Sequence, residues 1–190
     1  MFNQSNFGWI FLNNKNVFRN LQMTNQTPFD RTYVDYLVTP NFWFSELISS
    51  NTADRNHINN YPDKESEKNL IDSCKNLFQP TRNLLNKPIL ISCAYRNPEV
   101  NKLVGGSNTS AHKFGYAMDF KCPGFGSPYQ IVDFLQKELV KNNIKFDQII
   151  CEFNSWVHIA WKSPTGKQRG QILTAKKING KTKYLAGLVK

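Results

Sequence analysis

Apolar residues recur at three- and four-residue intervals between positions 64 and 85 (Leu70, Ile71, Cys74, Leu77, Phe78). This spacing predicts one amphipathic helix behind a Pro62-Asp63 start signal. A second helix is predicted over 127–142, with Ile131, Phe134, Leu135 and Leu139 on one face and Ser127 as its cap. Shorter helices are expected at 42–48, with Thr39 or Asn41 capping, and at 98–104. Strand signals lie at 89–94, 115–120, 146–153 and 156–161, the last two forming a hairpin around Asn154-Ser155. A further hairpin joins 171–176 to 183–188 through Asn179-Gly180, a dipeptide that suits the left-handed positions of a tight turn. Helices first and hairpins later make an α+β fold, an antiparallel sheet with flanking helices.

The strand faces carry the candidate chemistry. Alternation places Gly115, Ala117 and Asp119 on one face and Tyr116, Met118 and Phe120 in the core. His158 shares its face with Trp156 and Ala160, leaving Val157, Ile159 and Trp161 opposite. Small neighbours beside each polar group leave room above the sheet. His112 follows a Gly105-Gly106-Ser107 loop, and together with Asp119 and His158 it forms a His/Asp/His set divided between two strand regions. Three such ligands are those of a catalytic zinc, because the fourth position stays open for water. Arg96, in Tyr95-Arg96-Asn97-Pro98, falls on a loop at a strand's end. Glu152 reaches the His158 face only if the intervening loop has an odd length, such as three residues; a strict two-residue Asn154-Ser155 turn turns it away. Asp147 is expected to be structural, and His57 to lie at the surface or cap a helix.

Composition narrows the setting. At 190 residues and 40% hydrophobic content the chain suits one domain with modest extensions. Residues 1–38, rich in Asn and aromatics without periodicity, read as an arm of unknown role. The four cysteines are scattered with no CxxC pair, so reduced, mostly buried thiols are expected. Residues 1–12 lack a signal-peptide pattern, and no stretch approaches the roughly 20 apolar residues of a membrane span. The net charge is +10, and residues 162–190 contain eight basic residues and no acid. That segment favours polyanions such as cell wall, nucleic acid or anionic lipid, which charge does not rank, and equally suits a solvated surface. No nucleic-acid recognition motif accompanies it.

Taken together, Tyr95-Arg96, Gly105-Gly106-Ser107, Ser110-x-His112-x-x-Gly115-x-Ala117-x-Asp119 and Trp156-Val157-His158 resemble the zinc D-alanyl-D-alanine peptidases. These enzymes share a fold with the hedgehog signalling domain. The similarity also takes in Leu77-Phe78-Gln79-Pro80 and the Asn179-Gly180 hairpin, and is greatest to small phage and bacterial versions that cut the peptide part of peptidoglycan. The resemblance implies that His112, Asp119 and His158 hold Zn2+, that Arg96 holds a substrate carboxylate or carbonyl, and that Ser110 hydrogen-bonds the peptide. It also implies a carboxylate base, for which Glu152 is the candidate. One departure is clear: many relatives place the base three residues before the last histidine, where this chain has Ser155. Small phage-type relatives instead place a Glu at the strand end before Trp-Val-His, as here. The expected organisation is an arm at 1–38, a zinc peptidase core at 39–165 and a basic hairpin packed on the core at 166–190.

The expected activity is DD-carboxypeptidase or endopeptidase action on peptidoglycan stem peptides, as a phage lysin or virion-associated enzyme. Such a protein waits in the host cytoplasm until released to the wall, or rides in the virion with residues 1–38 docked to virion proteins. No membrane or dedicated nucleic-acid partner is expected. The alternative is a non-catalytic virion or wall-binding module that keeps the fold.

Overall fold

The structure, a computed structural model, describes residues 35–190 and the two-residue strand β1 (Phe18–Arg19). The role expected for the 1–38 arm therefore falls almost wholly outside the described residues. Strand β2 (Asp35–Thr39) crosses the expected boundary at residue 39 and pairs with both β1 and β3 (Phe42–Trp43). Helix α1 (Phe44–Ile48) follows β3 directly, so the predicted helix at 42–48 loses its first two residues to a strand. Trp43, rather than Thr39 or Asn41, is its N-cap, and its backbone N–H donates to Glu46 Oε2 at 2.9 Å.

Helix α2 (Asn51–Arg55) leads to α3 (Lys64–Ser73), whose N-cap Asp63 accepts from the Ser66 N–H at 2.7 Å. The predicted helix over 64–85 is helical throughout but changes pitch midway. A π turn at Cys74–Phe78 separates α3 from α4 (Gln79–Leu85). Pro80 explains this, because a proline in a helix has no N–H and its ring crowds the carbonyl four residues back. Widening the turn, with Gln79 N–H bonded to Cys74 O, relieves the crowding.

The main sheet has the order β4-β5-β7-β6-β8-β9, formed by Leu90–Cys93, Ala117–Lys121, Trp156–Ala160, Gln148–Glu152, Gln171–Ile178 and Lys181–Ala186. Helices α5 (Pro98–Leu103) and α6 (Pro128–Lys141) lie between strands in sequence, and Ser127 caps α6 as expected. The expected all-antiparallel sheet has one exception. Strand β8 runs parallel to β6, so the basic hairpin continues the sheet, with Ile172 and Leu188 packed against the core. Asn179 and Gly180 both take positive φ (52° and 74°) in its turn.

One face of the sheet is core. Met118, Phe120, Val157, Ile159 and Ile149 are fully buried with Ile131, Leu135 and Leu139 of α6 and Leu70, Leu77 and Phe78 of the long helix. Each such side chain contributes about 1.5–3 kcal/mol of burial. Tyr116 departs from the expected core set, lying half-buried between Phe114 and Trp161 before β5 begins. All four cysteines are free. Among the described residues no helix is long and apolar enough to cross a membrane.

Gly115 lies just before β5, not on its face, with φ at +72°. A Cβ there would meet Ser66 O at 2.5 Å and the Leu70 nitrogen at 2.8 Å, both backbone atoms of α3. We expect Gly115→Ala to destabilise the protein by about 3 kcal/mol, the positive φ and the collision adding, as a lowered urea midpoint at unchanged slope. A loss under 1 kcal/mol would show that α3 yields freely at this point.

Candidate metal centre

The core-averted face of the sheet is open, and it floors a cleft of about 1200 Å³. Register defines which side chains point into it. Asp119 pairs with His158, and His158 with Ile150, in one cross-strand row. The loop from β6 to β7 is Phe153, Asn154 and Ser155, giving the pair Glu152↔Trp156. Its length is odd, so Glu152 shares the face of His158 and Asp119. Phe153 and Asn154 both adopt positive φ to make the turn. Ser155 is exposed in that turn, away from the strand face.

The remaining histidine comes from off the sheet, and the division between two strands is corrected accordingly. His112 sits in a short 3-10 helix, Ala111–Phe114, that follows Ser110 and is closed by Gly115. Ser73 Oγ donates to Gly115 O at 2.8 Å, tying this turn to α3. The Arg96 N–H donates to His112 O at 3.2 Å. Buried Asn60 brackets Arg96, donating to Tyr95 O at 3.1 Å and accepting from the Asn97 N–H at 2.8 Å. Sequence reasoning gave no sign of Asn60.

Three donor atoms converge. His112 Nε2 lies 3.2 Å from both His158 Nδ1 and Asp119 Oδ1, and His158 Nδ1 lies 2.8 Å from the same oxygen. Bonds of about 2.0–2.1 Å to a tetrahedral zinc set neighbouring ligands about 3.3–3.4 Å apart, close to this triangle. Protonation sharpens the fit. His112 Nδ1 is 2.6 Å from Ala94 O, a carbonyl that only accepts, so Nδ1 carries the proton. Burial lowers the pKa of His112, keeping it neutral. Its Nε2 lone pair therefore faces a carboxylate oxygen, and at most one proton, on His158 Nδ1, can be shared among the three atoms. A cation satisfies all of them, and the Ala94 carbonyl orients the ring as an outer-shell partner does. Burial alone would raise the Asp119 carboxyl, but the two imidazoles set against it outweigh that and hold it well below the usual range.

Cys93 is the neighbour that sequence reasoning left among the inert thiols. It, His112 and Asp119 offer ligand atoms within 4.8 Å of one another. Its Sγ, however, lies 3.9 Å from His112 Nδ1, the nitrogen already held by Ala94, so it stands behind the imidazole. Burial also pushes its thiol up to about 12, so in the bare protein it stays protonated.

Around this triangle, Arg96 Nη2 is 3.9 Å from Asp119 Oδ2, and Arg96 Nε is buried without a hydrogen-bond partner among the described residues. Ser110 lines the cleft, and its side chain makes no cap bond. Glu152 is 8% exposed, and burial raises its pKa, the negative charge of Asp119 adding while His158 and Arg96 oppose. Tyr184 and Lys177 from the C-terminal hairpin line the same cleft, a contribution the charge count of that segment did not locate. Asp147, at the cleft edge, is buried and bound by Arg169 through two bonds of 2.6 Å, a structural role. His57 is exposed, remote from these residues in sequence and absent from the cleft lining.

Residues 40–160, well over half of the chain, match the family model described as Peptidase M15. No curated protein matches the chain. The matched segment includes Arg96, Ser110, His112, Asp119, Glu152 and His158 and stops before β8 and β9.

The two overlapping donor sets make different demands. We expect Asp119→Ala and His158→Ala to weaken zinc binding at least about a hundredfold, and Cys93→Ser to leave it within about twofold. Competition against a chelator measures both. Loss of zinc in Cys93→Ser with retention in His158→Ala would reassign the site to the thiol.

Proposed function

The chain belongs to the peptidase M15 family of metallopeptidases, and on that premise we propose that it is a zinc-dependent DD-peptidase hydrolysing D-alanyl peptide bonds of bacterial peptidoglycan. It acts as a carboxypeptidase or endopeptidase on the stem peptides. The observation that carries this reading is the position of Glu152. A buried carboxylate shares one sheet face with Asp119 and His158, across an odd-length loop, in an open cleft.

His112, Asp119 and His158 would hold the zinc ion, which would supply a Lewis acid to polarise a carbonyl and make water nucleophilic near neutral pH. The chain's own residues do the rest. Arg96, which lines the cleft, offers its fixed guanidinium fork to a substrate carboxylate or carbonyl. Ser110 Oγ hydrogen-bonds the peptide. As the water oxygen bonds to the carbonyl carbon, Glu152 takes the water's proton. As the C–N bond breaks, it passes that proton to the leaving amine nitrogen. A carboxylate raised by burial suits both transfers, because it accepts a proton more readily than an ordinary one.

The setting we propose is a phage lysin or virion-associated wall-opening enzyme. The strand-end Glu152 before Trp156-Val157-His158 supports it, through the resemblance to small phage-type relatives. Wall polymers carry carboxylates and often phosphates, which suits the acid-free basic segment at 162–190.

Two measurements on Glu152→Gln test the base. With zinc retained, muropeptide release followed by mass spectrometry falls about 10²–10⁴-fold. In zinc-free protein the same change raises the melting temperature at neutral pH. The sign follows from burial: a carboxyl whose folded pKa is raised is destabilising when ionised, and the penalty disappears as pH falls through that raised value. The stability gain of the variant therefore shrinks toward acid. Native protein that binds zinc yet releases nothing from any wall type would instead establish the non-catalytic binding module.

A further inference from the structure

Past β6 the cleft floor is made by β8 and β9, which lie outside the segment matched to the family. The register Glu152↔Ala175↔Tyr184 continues one cross-strand row over these strands, and Lys177↔Thr182 forms the next row on the same face. Ala175 is small and buried, which lets the Tyr184 phenol come within electrostatic reach of Glu152 and Arg96. The side chain is more than half exposed, and its partial burial with the negative charge of Glu152 pushes the phenol up, so its hydroxyl keeps its proton as a donor.

The charge of this wall is uncompensated. Lys177 Nζ donates to Thr182 Oγ1 at 2.9 Å and lies 5.6 Å from the Phe153 ring centroid, with no carboxylate among the described residues paired to it. Arg169 nearby is different, its charge already taken by Asp147. No acid occurs from 162 to 190 to neutralise the rest. An ammonium steadied by a hydroxyl and an aromatic ring, with a phenol O–H on the adjoining row, suits a carboxylate.

We propose that the β8–β9 wall is a substrate subsite that takes a peptide carboxylate, with Lys177 as its cation and Tyr184 as a second donor. The proposal rests on the peptidase reading and adds to it the class of substrate preferred, an acidic peptide. Strand spacings of about 4.8 Å and rises of about 3.4 Å place the Lys177 Cα roughly 17 Å from that of His158. Once the ammonium swings from Thr182 toward the cleft, the reach of the lysine side chain leaves on the order of 10 Å, the span of about three extended residues. The carboxylate therefore belongs about three residues from the scissile amide.

Two synthetic stem peptides test this, identical except that the side carboxylate three residues from the scissile amide is free in one and a carboxamide in the other. Cleavage is measured with zinc-loaded protein and binding with zinc-free protein by titration calorimetry. The native protein is expected to favour the free acid about fivefold, in KM and in Kd, with kcat similar, and the preference is expected to shrink with added salt. Lys177→Glu abolishes or reverses the preference, Lys177→Arg keeps it, and Tyr184→Phe reduces it about twofold. No preference in the native protein, or an unchanged ratio in Lys177→Glu, overturns the subsite. Failure to cut either peptide would count against the peptidase reading alone, since binding to the zinc-free protein still decides whether the subsite exists.

Discussion

Met118, Phe120, Val157, Ile159 and Ile149 are buried on a single face of β5, β7 and β6, and this frees the other face from packing. Period-two alternation then leaves no choice for the residues between them. Asp119, His158, Ile150 and Glu152 must project to the open side. A one-residue change in the β6–β7 loop would send Glu152 into the core, where an ionised carboxylate is not tolerated without a partner. The apolar core thus sets the geometry of the polar site.

Only two of the converging donors come from that sheet. His112 is brought over it by a 3-10 turn whose closing glycine presses against the α3 backbone, where no side chain fits. Such close approach is a stability feature serving a functional placement. The triangle it completes has the opposite character. A neutral imidazole lone pair set against a carboxylate, with a second carboxylate buried on the same face, costs free energy in the bare protein. A cation recovers that cost, so the zinc-free protein is expected to fold around a centre that is electrostatically incomplete.

Much of this was legible in the chain. The Ser127 and Asp63 caps, the Asn179-Gly180 turn and the buried faces of β5 and β7 follow from local rules that tertiary structure did not override. The parity condition on Glu152 could be written from the sequence, but the loop length that satisfies it could not, because Phe153 takes a left-handed backbone that its side chain does not favour. The misread points have long-range causes. Gly115 reads as a strand residue until α3 is seen against it. The π turn depends on where Pro80 falls in an otherwise regular helix, and Asn60 acts through partners 12 and more residues away. Strand β8 reads as half of an isolated hairpin, since nothing local encodes parallel pairing with β6.

That parallel pairing needs a crossover, and its anchor is a buried charge. After β7 the chain passes over the strand ends to reach the far edge of β6, and Arg169 is gripped there. Its Nε and Nη2 donate to the two oxygens of Asp147, its backbone N–H to Oδ1, and the Gln171 N–H to Asp147 O. Asp147 is 1% exposed while Arg169 is 40% exposed. Removing the arginine would leave a carboxylate buried without a counterion, a loss of about 3–5 kcal/mol in a closed interior and less here because solvent reaches the guanidinium. The pair therefore holds the start of β8 in register with β6, and through β8 the whole outer hairpin. A basic tail tethered by a mobile linker would spend binding energy on ordering itself around a ligand. Lys177 and Tyr184 instead stand on strands continuous with the one that bears Glu152, so whatever they hold is positioned relative to the reacting groups by the same backbone ladder.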